Sequence, residues 1–189
     1  MTEKDVLDVF EKNKALLAGH FKLSSGLHSE KYLQCALVLQ YPGIAENFAK
    51  ELASRFSKEK IDLVIGPALG GVTLAYEIAR ALGVRGLFTE RQEGGMVLRR
   101  GFAIEKGERV LVAEDVVTTG GSTKEVMDAV EKLGAVVVGV ASVINRSSGD
   151  VKFGVKYEYL ARVKADTFNE SNCPMCKLGT QAIKPGSRK

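Results

Sequence analysis

The feature of this chain with the clearest chemical potential is an apolar segment that ends in two carboxylates and a hydroxyl-rich turn. It reads Val110-Leu111-Val112-Ala113-Glu114-Asp115-Val116-Val117-Thr118-Thr119-Gly120-Gly121-Ser122. Glycines let the backbone curl tightly, so that successive N–H groups can converge on one anion. The hydroxyl groups, and the N-terminus of a following helix, add hydrogen-bond donors and a favourable dipole. The pattern therefore predicts a site for a phosphate monoester.

The acidic pair Glu114-Asp115 indicates what lies beside that phosphate. Two carboxylates are out of place around phosphate alone, but they can hold the vicinal hydroxyls of a sugar or a hydrated metal ion. The alternative is a strand, an acidic turn and a capped helix without any ligand. The chain has neither a Gly-x-x-x-x-Gly-Lys-Ser/Thr loop nor a Gly-x-Gly-x-x-Gly motif.

The elements that position this loop follow from hydrophobic periodicity. Short apolar runs at 61–66, 84–89, 109–114 and 136–144 predict strands, and the first and third are followed by helical patterns that end near Leu82 and Gly134. Such alternation predicts a parallel sheet with crossover helices. Ligands of such sheets lie beyond the carboxyl ends of the strands, which is where the acidic pair falls.

The first sixty residues have a different pattern. Apolar side chains predict a helix over residues 2–17 that Gly19 ends, and residues 19–32 form an irregular stretch containing His20 and His28. We expect both histidines to cap turns. Pro42 begins a second helix, whose apolar positions include Ile44, Phe48, Ala49, Leu52 and Phe56.

Four motifs, in order, resemble those of the type I phosphoribosyltransferases, and in particular the orotate enzymes. The 110–122 segment resembles their phosphoribosyl pyrophosphate (PRPP) motif. The family's hood resembles residues 19–29 together with Tyr32-Leu33-Gln34-Cys35. Its pyrophosphate loop resembles Gly66-Pro67-Ala68-Leu69-Gly70-Gly71. Its flexible loop resembles Met96-Val97-Leu98-Arg99-Arg100-Gly101-Phe102. Asn145-Arg146 falls where the family places an arginine that holds the orotate carboxylate.

The resemblance implies an α/β fold: a parallel-sheet type I phosphoribosyltransferase core with crossover helices and a small N-terminal hood. It implies one domain over 1–189, with a hood of roughly 1–40 plus the C-terminal segment and a core of roughly 41–165. The implied reaction joins orotate to PRPP, giving orotidine 5′-monophosphate and pyrophosphate for pyrimidine synthesis. Mg²⁺ is the implied cofactor, and a homodimer the implied assembly.

The resemblance also assigns roles to residues. PRPP is expected on Glu114, Asp115, Val116, Val117, Thr118, Thr119, Gly120, Gly121 and Ser122, and its pyrophosphate on Ala68, Leu69, Gly70 and Gly71. Orotate is expected on Thr118, Arg146 and Lys22, and the catalytic cations are Arg91, Arg99 and Arg100. The chain departs from the family pattern at Ser24 and Gly70, where many orotate enzymes have lysine.

The pair Cys173-Pro174-Met175-Cys176 supplies only two of the four ligands that zinc needs. A dimer could bring two such pairs together, or the thiols could simply be buried. Three cysteines in all do not make a secreted disulfide framework, so we expect a cytoplasmic protein.

Charge and hydropathy exclude other classes of partner. The net charge is +4, yet lysines and arginines are dispersed, so we expect no nucleic-acid partner. No run approaches the roughly 18 apolar residues of a membrane span, so we expect no membrane partner.

Two alternatives stay open: a phosphoribosyltransferase for a purine or uracil, and a PRPP-sensing regulator on the same fold.

Overall fold

The computed structural model describes residues 1–23, 26–147, 149 and 151–185, and these form two β-sheets with flanking helices. Ser24 and Ser25, quoted above in the hood motif, lie outside the described residues. The strands are β1 (Leu16–Lys22), β2 (His28–Leu33), β3 (Leu63–Pro67), β4 (Arg85–Gln92), β5 (Gly95–Leu98), β6 (Arg109–Val117), β7 (Val136–Asn145), β8 (Lys156–Arg162) and β9 (Thr167–Phe168). The helices are α1 (Glu3–Lys12), α2 (Ala36–Leu39), α3 (Pro42–Arg55), α4 (Gly70–Leu82), α5 (Gly121–Lys132) and α6 (Pro174–Lys177), with a 3₁₀ turn at Glu170–Asn172.

The larger sheet has the order β5-β4-β3-β6-β7-β8, and every neighbouring pair is parallel except β4 with β5. Helices α1, α3 and α4 pack on one face and α5 on the other. Strands β3, β6 and β7 are nearly all apolar because both of their faces are covered. The predicted α/β fold with crossover helices is confirmed.

Parallel pairing brings the loops that follow β3, β6 and β7 to the same end of the larger sheet. The carboxyl ends of β3, β6 and β7 lead into residues 68–71, residues 118–120 and Arg146 respectively. Neighbouring parallel strands end on the same side of a sheet, so three segments distant in sequence become neighbours.

The smaller sheet, called the hood below, has the strand order β1-β2-β9, and both pairs are antiparallel. The predicted helix over 2–17 is too long, and the irregular stretch over 19–32 is wrong. Helix α1 ends at Lys12 because Lys14 takes a left-handed φ of 54°, after which Leu16 and Leu17 belong to a strand. The apolar spacing continued past the helix only because the next element is also partly buried.

Two further strands of the large sheet were not predicted. The glycine-rich segment near Gly94 is a tight β4–β5 hairpin, whose turn residues Glu93 and Gly94 both have positive φ. Strand β8 lies beside β7 and begins with alternating charged and aromatic side chains over residues 156–159.

Helix α1 places Val6 and Phe10 in the same apolar cluster as α3 and α4, so residues 1–40 contribute to the main core as well as to the hood. The division into a hood of roughly 1–40 plus the C-terminal segment and a core of roughly 41–165 stays a prediction. Within the described ranges, no helix combines the length and the apolar character required to cross a bilayer.

Candidate active site

The turn between β6 and α5 forms a small polar concavity of about 50 Å³. It is lined by Glu114, Val116, Val117, Thr118, Thr119, Gly120, Gly121, Ser122 and Thr123. Gly120 has φ 77°, and a Cβ there would lie 2.8 Å from Val151 Cγ1. Only glycine fits that position, and the turn then presents the N-terminus of a twelve-residue helix to the concavity. The structure thus brings together the residues predicted to hold phosphate.

The side chain of Glu114 is buried beside that concavity. Burial, assisted by the charge of Asp115, raises the pKa of Glu114 to about 9. The Asp115 backbone N–H donates to Glu114 Oε1 at 3.3 Å, and the Val116 N–H donates to Asp115 Oδ1 at 2.9 Å. At neutral pH the Glu114 carboxyl is therefore protonated in the ligand-free chain, and it can donate a hydrogen bond to a sugar oxygen.

This burial predicts a pH-dependent stability. The pKa of Glu114 rises from 4.5 to about 9 on folding. The contribution of this carboxyl group to the free energy of unfolding is therefore fully present below about pH 4.5 and is lost as the pH rises through about 9. Over that window the wild type should lose about 1.4 kcal/mol per pH unit relative to Glu114→Gln. Urea unfolding should show the stability advantage of Glu114→Gln growing by about 2.7 kcal/mol from about pH 6 to about pH 8. Glu131→Gln, an exposed change on α5, should show no such trend, and a pH-independent difference for Glu114→Gln would contradict the assignment.

Asp115 connects the acidic pair to the loop after β3. A Cβ added at Gly70 would lie 2.6 Å from Asp115 Oδ1, and one at Gly71 would lie 2.8 Å from the Ala113 carbonyl oxygen. The Ala68–Leu69 peptide bond is cis, and the Leu69 side chain is exposed. Gly70, where many orotate enzymes have lysine, here leaves room for the Asp115 carboxylate.

A cavity of about 310 Å³ adjoins Asp115. It is lined by Gln34, Ala36, Leu39, Gln40, Leu69, Gly70, Thr73 and Asp115. Gln34, Gln40 and Thr73 were not predicted as site residues. Gln34 stood within the hood motif and could have been proposed from it, whereas Gln40 and Thr73 carry no signal in the sequence because helices α2 and α4 bring them to the cavity.

Arg146 spans the space between the core and the hood. Its backbone N–H donates to the Val117 carbonyl oxygen at 2.8 Å, and its Nη2 donates to Ser29 Oγ at 3.3 Å and to the Lys31 carbonyl oxygen at 3.5 Å. Burial lowers the pKa of this guanidinium. Among the described residues no carboxylate lies within 4 Å of it, so a partly buried cation faces neutral oxygen atoms. An anionic ligand would satisfy it.

The other predicted cations are already paired with carboxylates. Arg91 lies 2.8 Å from Glu125, Arg100 lies 2.7 Å from Glu90, and Arg99 makes a longer contact of 3.9 Å with the same Glu90. In the hood, Lys22 Nζ lies 3.6 Å from Glu170 Oε2. The arginines of the hairpin therefore form ion pairs with Glu90 of the same hairpin and with Glu125 of α5. Arg99 makes the weakest of these contacts.

This fold and the glycine- and hydroxyl-rich turn between β6 and α5 define the class of protein, a type I phosphoribosyltransferase. Residues 38–170 match the family model described as a phosphoribosyl transferase domain. The chain is 54% identical over 189 residues, all of both chains, to the orotate phosphoribosyltransferase of Caldanaerobacter subterraneus subsp. tengcongensis. It is 55% identical to that of Carboxydothermus hydrogenoformans, over 98% of each chain. The crystal structure of orotate phosphoribosyltransferase from Aeropyrum pernix matches with a TM-score of 0.69 at 26% identity, over 92% of this chain and 98% of that one. The chain belongs to the orotate phosphoribosyltransferase family.

Proposed function

We propose that this chain transfers the phosphoribosyl group of PRPP to a ring nitrogen of orotate, giving orotidine 5′-monophosphate and pyrophosphate. The observation that carries the proposal is the position of the acidic pair. Glu114 lines the phosphate-sized concavity, and Asp115 lines the larger cavity beside Gly70. A sugar that bears phosphate at one end and pyrophosphate at the other matches this arrangement, with the phosphate in the small concavity and the pyrophosphate beside the larger cavity.

In this proposal each part of the substrate is assigned to a set of described residues. The 5′-phosphate binds the N–H and hydroxyl groups of residues 118–122, and the ribose hydroxyls bind Glu114 and Asp115. The pyrophosphate lies against the backbone of residues 68–71. The orotate carboxylate binds Arg146, with Thr118 and Lys22 nearby. Orotate offers a nucleophilic nitrogen near neutral pH, so the protein acts mainly by positioning and by stabilising charge.

The residues at the larger cavity fit Mg²⁺, which prefers oxygen ligands and retains several waters. Asp115, Gln34 and Gln40 line that cavity, and each of these side chains carries an oxygen that can act as a ligand. Asp115 would hold the ion, directly or through water. When bound, Mg²⁺ supplies positive charge that stabilises the departing pyrophosphate.

Cations of the β4–β5 hairpin complete the proposed site. Arg91, Arg99 and Arg100 are the candidates that meet the negative charge growing on the leaving pyrophosphate. Arg99 is the first choice, because its 3.9 Å contact with Glu90 costs less to break than the 2.7 Å contact of Arg100. The hairpin would have to move toward the cavity for this role, as active-site loops commonly do.

An assay of PRPP consumption with each base in turn tests the proposal. Orotate should be turned over in the presence of Mg²⁺, and uracil, hypoxanthine and adenine should be turned over at least about 100-fold more slowly, since they lack the carboxylate. Faster turnover of another base would replace orotate while keeping the reaction class. PRPP binding without turnover of any base would favour the regulator instead. The homodimer and the cytoplasmic location stay predictions.

A further inference from the structure

Four side chains with metal-binding atoms meet where the first two strands of the hood approach the C-terminal segment. They are His20 on β1, His28 at the start of β2, Cys173 before α6 and Cys176 within α6, and their ligand atoms all lie within 4.8 Å of one another. His20 and His28 are 7% and 2% exposed, and Cys173 is fully buried. The expectation that both histidines cap turns is wrong, because they are buried against the C-terminal segment.

The distances match a tetrahedral site. His20 Nε2 lies 3.5 Å from Cys173 Sγ and 3.8 Å from Cys176 Sγ, and His28 Nδ1 lies 3.3 Å from Cys176 Sγ. Zn–S bonds of about 2.3 Å and Zn–N bonds of about 2.0 Å place tetrahedral ligand atoms about 3.3–3.8 Å apart. The two histidine nitrogens, at 2.8 Å, would separate slightly to admit the ion.

The surroundings of His20 orient it as a ligand. Its Nδ1 lies 3.0 Å from the Thr180 carbonyl oxygen and 2.9 Å from Thr180 Oγ1. A proton on Nδ1 donated to that carbonyl leaves the Nε2 lone pair directed into the cluster, the arrangement that metal-binding histidines usually have. His28 uses Nδ1 toward the cluster, and its buried Nε2 has no hydrogen-bond partner in the part of the chain described here.

We propose that His20, His28, Cys173 and Cys176 bind one Zn²⁺ ion and so clamp the C-terminal segment to the hood. The Cys-x-x-Cys pair, which alone supplies half a site, is completed within the same chain by the two histidines. Binding deprotonates both thiols and releases two protons to solvent. Two thiolates, two neutral imidazoles and Zn²⁺ sum to zero charge, which suits a buried site.

The clamp would stabilise a C-terminal segment that has little apolar core of its own. Residues 165–185 bury little apolar surface, since Leu178 and Ile183 are 81% and 63% exposed. Two backbone hydrogen bonds, from Lys22 to Ile183 and from Ile183 to His20, also join this segment to β1. Small units without an adequate core commonly depend on a metal or a disulfide. The ion would also hold the start of β2, where Ser29 contacts Arg146, and so would fix one wall of the proposed orotate site.

Metal analysis tests the clamp without any measurement of activity. The chain should be produced with supplemented zinc and without a histidine tag, then dialysed and analysed by plasma mass spectrometry. Wild type should contain about one zinc per chain, and X-ray absorption should show two sulfur ligands at about 2.3 Å and two nitrogen ligands at about 2.0 Å. Cys173→Ser and His28→Ala should each lose most of the zinc, while Cys35→Ser, at a buried cysteine outside the cluster, should retain it.

A measurement on the unmodified chain covers the case in which the variants fail to fold. Release of zinc by a strong chelator should lower the melting temperature by more than about 5 °C, and added Zn²⁺ should restore it. Wild type that contains no zinc after supplemented expression would overturn the proposal, as would a Cys173–Cys176 disulfide found by mass spectrometry in such a preparation. Zinc that persists undiminished in the soluble Cys173→Ser and His28→Ala variants would place the ion elsewhere and overturn it too.

Discussion

Asp115→Asn should lower kcat/KM for PRPP by roughly 100- to 1,000-fold while leaving the chain folded. The Asp115 carboxylate lines the cavity beside Gly70 and accepts a hydrogen bond from the Val116 N–H. Asparagine keeps the size and one oxygen acceptor, but removes the charge that the ribose hydroxyls and the hydrated ion would use. Steady-state kinetics at varied PRPP and fixed Mg²⁺, together with circular dichroism, measure both parts of the expectation.

Asp128→Asn is the matched control for this change, because Asp128 is exposed on α5, beyond the turn of residues 118–122. It should leave the kinetics unchanged. A larger Mg²⁺ requirement in Asp115→Asn would indicate that the carboxylate acts through the ion, whereas an unchanged requirement with a raised KM for PRPP would indicate direct contact with the ribose. Normal kinetics in Asp115→Asn would mean that the acidic pair is only a turn between strand and helix.

Arg146→Ala should raise the KM for orotate by ~10- to 150-fold, with little change in the KM for PRPP. Orotate differs from uracil by one carboxylate, and a charge-assisted hydrogen-bonded pair contributes about 1.5–3 kcal/mol, which corresponds to that range. The guanidinium is partly buried and contacts only neutral oxygens of Ser29 and Lys31 among the described residues, so it is available for an anion. Kinetics with each substrate varied in turn separate the two constants.

Arg146→Lys should recover only part of the loss, because an ammonium group cannot reproduce the two parallel hydrogen bonds of a guanidinium. Arg80→Ala, at an exposed arginine of α4 paired with Glu77, is the control and should leave both constants unchanged. If PRPP affinity falls while the KM for orotate stays the same, Arg146 serves the sugar phosphate, and Lys22 becomes the candidate for the carboxylate. A loss of melting temperature with normal kinetics would instead mean that Arg146 only joins the hood to the core.

The turn between β6 and α5 and the parallel sheet were predictable because their determinants are local. The apolar residues of β3, β6 and β7 need burial on both faces whatever their neighbours are, and Gly120 is required by its own backbone conformation. The order Glu-Asp, Thr-Thr, Gly-Gly, Ser is contiguous, so its chemistry can be deduced before folding. Helix α3 follows from Pro42 and the spacing of Phe48, Ala49 and Leu52 for the same reason.

The hood was not predictable in the same way. Strands β1 and β2 bury only some of their residues, and their mixed polar and apolar side chains give neither a clean alternation nor a helical period. The partner of β2 on its other side, β9, lies more than 130 residues further along the chain. Pairing over such separations is decided by the assembled surface, and no local pattern encodes it.

The sequence by itself determined that this chain builds a parallel α/β core with a glycine- and hydroxyl-rich turn between β6 and α5, because each of those features follows from neighbouring residues. Tertiary structure alone decided which distant groups meet. It placed Arg146 against the hood, paired Arg91 with Glu125, and set His20 and His28 beside Cys173 and Cys176. Such contacts depend on how whole elements pack. Side chains that come together from distant parts of the chain produce no spacing pattern in the sequence from which the contact could be predicted.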